Sequence, residues 1–193
     1  MNRCPWARGE LLTVYHDQEW GVPLYEDHRL FEFLILEGAQ AGLSWDTILK
    51  KRTEYREVFD DFDPQRVVNF DQNRINSLLS NPGIIRNRRK IESAIKNAQV
   101  FLKIQDEFGS FNQFLWRFVD GTPIKNHFLS MTEIPAETEL SKLISWDLKQ
   151  RGMSFVGPTI IYAFMQAVGL VNDHLVDCYR YNEIIHMEKM RNA

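Results

Sequence analysis

Two cysteines and two histidines bracket the chain. Cys4 and His16 lie near one end, His174 and Cys178 near the other. Two thiolate sulfurs and two imidazoles form the donor set of a closed, tetrahedral, structural zinc site. His174 and Cys178 are four residues apart, so on a helix they would share one face. A metal held by all four would clamp the N-terminal segment to the C-terminal helix. Four protein ligands would leave no position for a reacting water, which argues against a catalytic zinc. Spacing alone leaves two other readings open: buried free cysteines beside unrelated histidines, and a Cys4–Cys178 disulfide, which a reducing compartment disfavours.

A second chemical signal is Glu37. It follows Leu30, Phe33 and Leu34 at helical spacing and precedes Ala41, so it falls in or beside the apolar stripe of its helix. An unpaired carboxylate there costs several kcal/mol, so something must meet it. The partner is either an ordinary salt bridge or helix cap, or a ligand offering positive charge or hydrogen-bond donors. Trp6, Tyr15, Trp20 and Trp45 all fall in the first quarter of the chain. Such rings pack a core, or they line a pocket for a flat base, and a cationic base gains further from their faces.

A third signal is the run LKQRGMSFVGPTI at 148–160. A helix ends at Arg151-Gly152, a tight turn follows, and Gly157-Pro158 opens the next helix. A helix N-terminus reached through a glycine turn offers free N–H groups to phosphate. The pattern resembles a helix-hairpin-helix element, which grips the DNA backbone without reading its sequence; a plain connection between helices is the alternative. Lys149 and Arg151, the run Lys50-Lys51-Arg52, and Arg86 with Arg88, Arg89 and Lys90 could add positive charge, or simply be solvated.

Helices must position these groups. Asp27 is a candidate cap for a helix reaching about Gly42, and Ser44 for one running to about Phe59. Asp63-Pro64 and Asp71 open two short helices, the second ending before Asn81-Pro82-Gly83. An amphipathic stretch covers Asn87 to Phe108. Ser110 to Val119, Thr138 to Gln150, Pro158 to about Gly169, and Asp173 to Tyr181 follow. Strand signals are scarce, so the fold class is all-α. With 193 residues, 44% hydrophobic and 25% charged, the chain is expected to be one globular domain, neither disordered nor a disulfide scaffold. The formal charge of −3 argues against a wholly basic nucleic-acid binder, though not against a local basic groove. The most apolar window, Phe155 to Val171, is broken by Gly157, Pro158 and Gln166, so no membrane span is expected. Glu10 interrupts any signal-peptide core. A cytoplasmic location with reduced cysteines is expected.

Taken together, the segments RCPW at 3–6, YHDQEWGVP at 15–23, LEGAQAGLSW at 36–45, GIIRNRRKI at 83–91, RGMSFVGPT at 151–159 and FMQAVGLVNDHLVDC at 164–178 resemble the 3-methyladenine DNA glycosylase I family. The resemblance spans nearly the whole chain. It implies a helix-hairpin-helix DNA glycosylase fold over 1–193, with residues 1–26 and 171–181 clamped by one structural zinc on Cys4, His16, His174 and Cys178, and the hairpin at 151–158. It implies hydrolysis of the N-glycosidic bond of 3-methyladenine in double-stranded alkylated DNA, releasing the free base without strand cleavage, by a monomer. Glu37 would be the catalytic residue and accept hydrogen bonds from the base. Trp6, Tyr15, Trp20 and Trp45 would line the base pocket. Gly42 and Leu43 would fill the gap left in the DNA, and the turn from Gly152 to Gly157 would hold phosphates. Two positions depart from the wider pattern. Leu12 stands where the family often carries an aromatic residue, which weakens one stacking face. Asn172, beside Asp173, stands where the wider superfamily places a catalytic Asp. A non-catalytic DNA-binding module, or a zinc hydrolase acting on a nucleoside, are the alternatives.

Overall fold

The structure is a computed structural model that describes residues 2–191. Its α-helices are α1 (Glu10–Gln18), α2 (Asp27–Gln40), α3 (Trp45–Val58), α4 (Pro64–Val67), α5 (Gln72–Ser80), α6 (Arg88–Phe108), α7 (Phe111–Trp116), α8 (Glu139–Gln150), α9 (Pro158–Ala167) and α10 (Tyr179–Arg191). Two two-residue strands, β1 (Ile124–Lys125) and β2 (Val171–Asn172), pair in parallel, a small addition to the expected all-helical chain. No helix among the described residues is long and apolar enough to cross a membrane.

Local chemistry accounts for most helix starts. Ser44, Asp63, Asp71, Asn87 and Ser110 each accept a backbone N–H in the first turn of the following helix, and Thr138 with Ser141 forms a capping box. Asp27 does otherwise. It is the first residue of α2, and its carboxylate accepts from the Phe111 and Asn112 N–H groups and from Gln105 Nε2, tying α2 to α6 and α7. Satisfying two N–H groups that open α7 takes precedence over capping its own helix.

Helix α2 is the centre of the molecule. It packs against α3, α6, α7 and α9, and every residue from Leu30 to Ala39 is buried. Phe31 meets the stacked rings of Phe101 and Phe111, and Phe114 extends the same core. Burial on all sides exceeds the single apolar stripe expected, and it leaves both acids of α2, Glu32 and Glu37, inside the protein.

The N-terminal segment lies against the end of α9. Gly21 N–H donates to Gln166 O and Leu24 N–H to Val168 O. The approach is so close that a Cβ on Gly169 would stand 2.5 Å from the backbone of Val22 and Pro23. The segment expected as a helix from Asp173 to Tyr181 is instead a non-helical turn, with Cys178 N–H bonded to Leu175 O, and α10 begins only at Tyr179. The Asp173 carboxylate explains the difference. It is buried and accepts from Asn126 Nδ2, Tyr162 Oη and Gln166 Nε2, which pins the chain before a helix can start.

Candidate functional site

The two acids of α2 show what makes a site. Glu32 is met by Arg52 Nε and Arg56 Nε, each at 2.7 Å from the same oxygen, and the two guanidiniums pull its pKa down against burial. Glu37, five residues on, is only 4% exposed and has no hydrogen bond or ion pair with any described residue. Burial alone pushes its carboxyl up to about 8. Its oxygens are not among the sealed, unpartnered atoms of the interior. They face a cavity of about 400 Å³, which Glu37 lines.

Aromatic rings form much of that cavity. Trp6, Tyr15, Trp20 and Trp45 all line it. Trp6 meets Trp20 edge-on at 5.0 Å, and Tyr15 lies 5.3 Å from Trp45. The Tyr15 hydroxyl is buried near Glu37, and its pKa is driven up by desolvation and by that acid. Leu12 does line the cavity, as an aliphatic patch among the rings. The expected constellation of Glu37 with four aromatic residues is therefore one place. Sequence reasoning missed Met131 and Ile134, from the loop before α8, and Ala163 and Gln166, from α9. Gln166 carried a legible signal, as the one amide side chain inside an apolar helix; the loop residues carried none.

Beside the cavity, Cys4, His16, His174 and Cys178 converge, all buried, with donor atoms within 4.8 Å of one another. Cys178 Sγ is 3.4 Å from His16 Nε2 and 3.6 Å from His174 Nδ1, and Cys4 Sγ is 3.7 Å from the same Nδ1. Tetrahedral zinc with ordinary Zn–S and Zn–N lengths requires S···N edges of about 3.6 Å. The ring nitrogens that face away from the sulfurs are held in turn. His16 Nδ1 meets Asp17 at 2.8 Å, and His174 Nε2 meets the Trp20 carbonyl at 3.0 Å, contacts that fix which nitrogen points inward. The sulfurs are free thiols, not a disulfide. Their contact holds the Cys178 thiol down and pushes the Cys4 thiol up, and a dication between them would let both ionise. No open ligand position is evident in a four-donor set. Although His174 and Cys178 were expected one turn apart on a helix, the turn from Asp173 to Cys178 brings them together instead.

The cluster also buttresses the cavity. Trp20 packs edge-on against the His174 ring at 4.6 Å, and Trp6 against His16 at 5.2 Å.

At the rim, α2 ends at Gln40 and the chain turns through Gly42, whose φ of 80° favours glycine. Leu43 is 39% exposed beyond it. Gln40 Nε2 donates to Leu43 O and Leu43 N–H to Gln40 O, which braces the turn. Lys90 Nζ donates to the carbonyls of Ala39 and Ala41, each at 2.8 Å. Helix α8 stops at Gln150, Gly152 takes a φ of 106°, and α9 starts at Pro158. Gly157 needs no special conformation, and a Cβ there would meet nothing within 4 Å, so the surface is open to an approaching group.

Several expected positive charges are already neutralised. Arg151 pairs with Asp147 and Glu107, Lys50 with Asp46, and Arg88 with Glu92, while Arg52 is buried against Glu32 and Glu19. Lys51 Nζ bonds the Pro82 carbonyl. Arg86 and Arg89 remain exposed and without a partner among the described residues.

Comparison with known proteins places this arrangement. Residues 6–181 match the family model described as methyladenine glycosylase. The chain is 46% identical over 177 residues to a DNA-3-methyladenine glycosylase of Haemophilus influenzae, covering 91% of this chain and 96% of that one. It is 46% identical over 182 residues to DNA-3-methyladenine glycosylase 1 of Escherichia coli, covering 94% and 97%. Among solved structures it resembles a crystal structure of 3-methyladenine DNA glycosylase I at a TM-score of 0.90, 47% identity, and coverage of 92% and 98%. A structure describing 3-methyladenine recognition by the Staphylococcus aureus enzyme matches at a TM-score of 0.89 and 39% identity, covering 93% and 96%.

Proposed function

The chain belongs to the methyladenine glycosylase family, and we propose that the cavity of Glu37 is where it takes up the base it excises. It is a DNA-3-methyladenine glycosylase of base excision repair, hydrolysing the N-glycosidic bond of the alkylated nucleotide. The observation that carries the proposal is a buried carboxylate with no partner among the described residues, facing a cavity of aromatic rings.

The target base must leave the stack before its sugar bond can be reached, which costs a few kcal/mol. Methylation at N3 makes the attached adenine a cation, which leaves as a neutral base and needs little general-acid help. The rings of Trp6, Tyr15, Trp20 and Trp45 attract a flat cation through their faces, by about 0.5–2 kcal/mol each. Glu37 gives it a counter-charge and accepts hydrogen bonds from its N–H groups. A cation arriving there lowers the pKa of the acid, so its proton passes to solvent as the base binds. Water then attacks the sugar carbon, the bond to the base breaks, and an abasic site remains. Among the described residues no lysine lines the cavity to form a Schiff base, which supports release without strand cleavage.

Zinc on Cys4, His16, His174 and Cys178 supplies a structural clamp between residues 1–26 and 171–181. These ligands hold Trp6 and Trp20 against the cavity and leave the chemistry to Glu37. Gly42 and Leu43 enter the duplex at the gap, and the helix-hairpin-helix turn from Gly152 to Gly157 holds phosphate. The Thr159 and Ile160 N–H groups at the start of α9 have no intrahelical acceptor, which suits that contact. All these groups come from one chain, so a monomer suffices. A non-catalytic DNA-binding module would have no use for an unpaired buried acid.

Incubating methylated duplex DNA with the protein tests this reading. Free 3-methyladenine should appear while the strand stays intact until alkali is added. Immediate nicking by the pure protein would contradict the single-function mechanism.

A further inference from the structure

Gln166 is the amide side chain in the apolar helix α9, and its orientation is set from behind. Its Nε2 donates to Asp173 Oδ2 at 2.7 Å. Asp173 is 1% exposed, and it also accepts from Tyr162 Oη at 2.5 Å and Asn126 Nδ2 at 2.6 Å. A carboxylate so placed accepts hydrogen bonds only. Turning the amide over would set its oxygen against that acid, so the orientation with nitrogen inward is the one the chemistry permits. The Gln166 backbone carbonyl is taken by the Gly21 and Gly169 N–H groups. The amide oxygen has no donor among the described residues, and it is not one of the sealed unpartnered atoms. Gln166 lines the same cavity as Glu37.

We infer that Gln166, held by Asp173, is a specificity-determining residue that presents a fixed acceptor to the base and thereby selects adenine over guanine. The inference rests on the base-cavity reading above. The exocyclic amine of adenine carries two N–H donors, and the cavity offers acceptors on Glu37 and on Gln166. Guanine carries a carbonyl oxygen at the same ring position. Against a fixed amide oxygen that carbonyl finds repulsion where the amine finds a hydrogen bond. Sites built around a fixed polar group discriminate through such unpaired groups more strongly than through shape. Asp173 is a positioning residue: it acts through Gln166.

The test uses duplex DNA carrying both 3-methyladenine and 3-methylguanine, with the released bases separated by chromatography. In Gln166→Met, kcat/KM for 3-methyladenine should fall about tenfold, the loss of roughly one net hydrogen bond. Release of 3-methylguanine should hold or rise, so the ratio drops by at least that factor. Asp173→Asn can donate to the amide oxygen and let the amide turn, and it should shift the ratio the same way. Thermal melting separates these effects from unfolding, since a folding defect lowers both activities equally. An unchanged ratio in both variants overturns the inference. Wild-type protein that releases neither base would overturn the cavity reading itself.

Discussion

Glu37 and Glu32 carry the same signal in the sequence, an acid inside the apolar run LFEFLILEG. What separates them arrives from elsewhere: Arg52 and Arg56 reach Glu32 from α3, and no described residue reaches Glu37. The sequence therefore marks an acid needing a partner, and only the fold tells which acid is left for a ligand. The unpaired acid has a consequence for stability. In the unfolded chain its pKa is near the ordinary 4.5, but burial lifts it to about 8 in the fold. The fold thus holds a proton that the unfolded chain releases, and stability falls as pH rises from about 4.5 to about 8, then levels. Glu37→Gln should remove that slope. Chemical denaturation should find the variant more stable than wild type at pH 8, and the difference should shrink towards pH 4.5. Its excision rate should fall at least about a hundredfold, a trade of function for stability. If a cationic nucleotide binds the ionised acid as proposed, kcat/KM of the wild type should rise with pH and flatten near 8. A profile flat from pH 6 to 8 would remove Glu37 from cation binding.

At the scale of elements, helix boundaries were legible wherever a side chain caps. Ser44, Asp63, Asp71, Asn87 and Thr138 all do what their types suggest. Helix α1 escaped because its N-cap is Gly9, with no side-chain cap to announce it. The turn at Asp173–Cys178 was misread because a four-residue spacing suits a helix, whereas here the chain is held by long-range bonds to Asp173. The donor set was readable from residue types; its geometry was not. Metal analysis of the protein should give about one zinc per chain. Cys178→Ser should lower Tm markedly, since bound structural zinc contributes directly to folding. Below its new Tm the variant should keep the pH profile of excision, as a clamp that supports the cavity without entering the reaction would require. Metal-free wild type of equal stability would refute the clamp.

The molecule as a whole carries a formal charge of −3, yet its substrate is a polyanion. Most of the basic residues that stood out in the sequence pair internally, which no inspection of runs such as Lys50-Lys51-Arg52 could show. Exposed Arg86 and Arg89 lie close in the chain to Lys90, which braces the Gly42 turn. Replacing both arginines by alanine should weaken duplex binding and reduce its salt slope by about 2, at roughly 0.9 per phosphate contact, while leaving affinity for the free base unchanged. Leu43→Ala should slow excision from duplex DNA about tenfold or more with the same indifference of the free base. The resemblance of the sequence segments reached the activity before the fold did, but it could not show that the acid lacks a partner among the described residues. The most direct measurement is a crystal soaked with 3-methyladenine. The account predicts the ring among Trp6, Tyr15 and Trp45, with Glu37 within hydrogen-bond distance of its N–H groups. A ring lodged elsewhere, or in the cavity with Glu37 untouched, would contradict it.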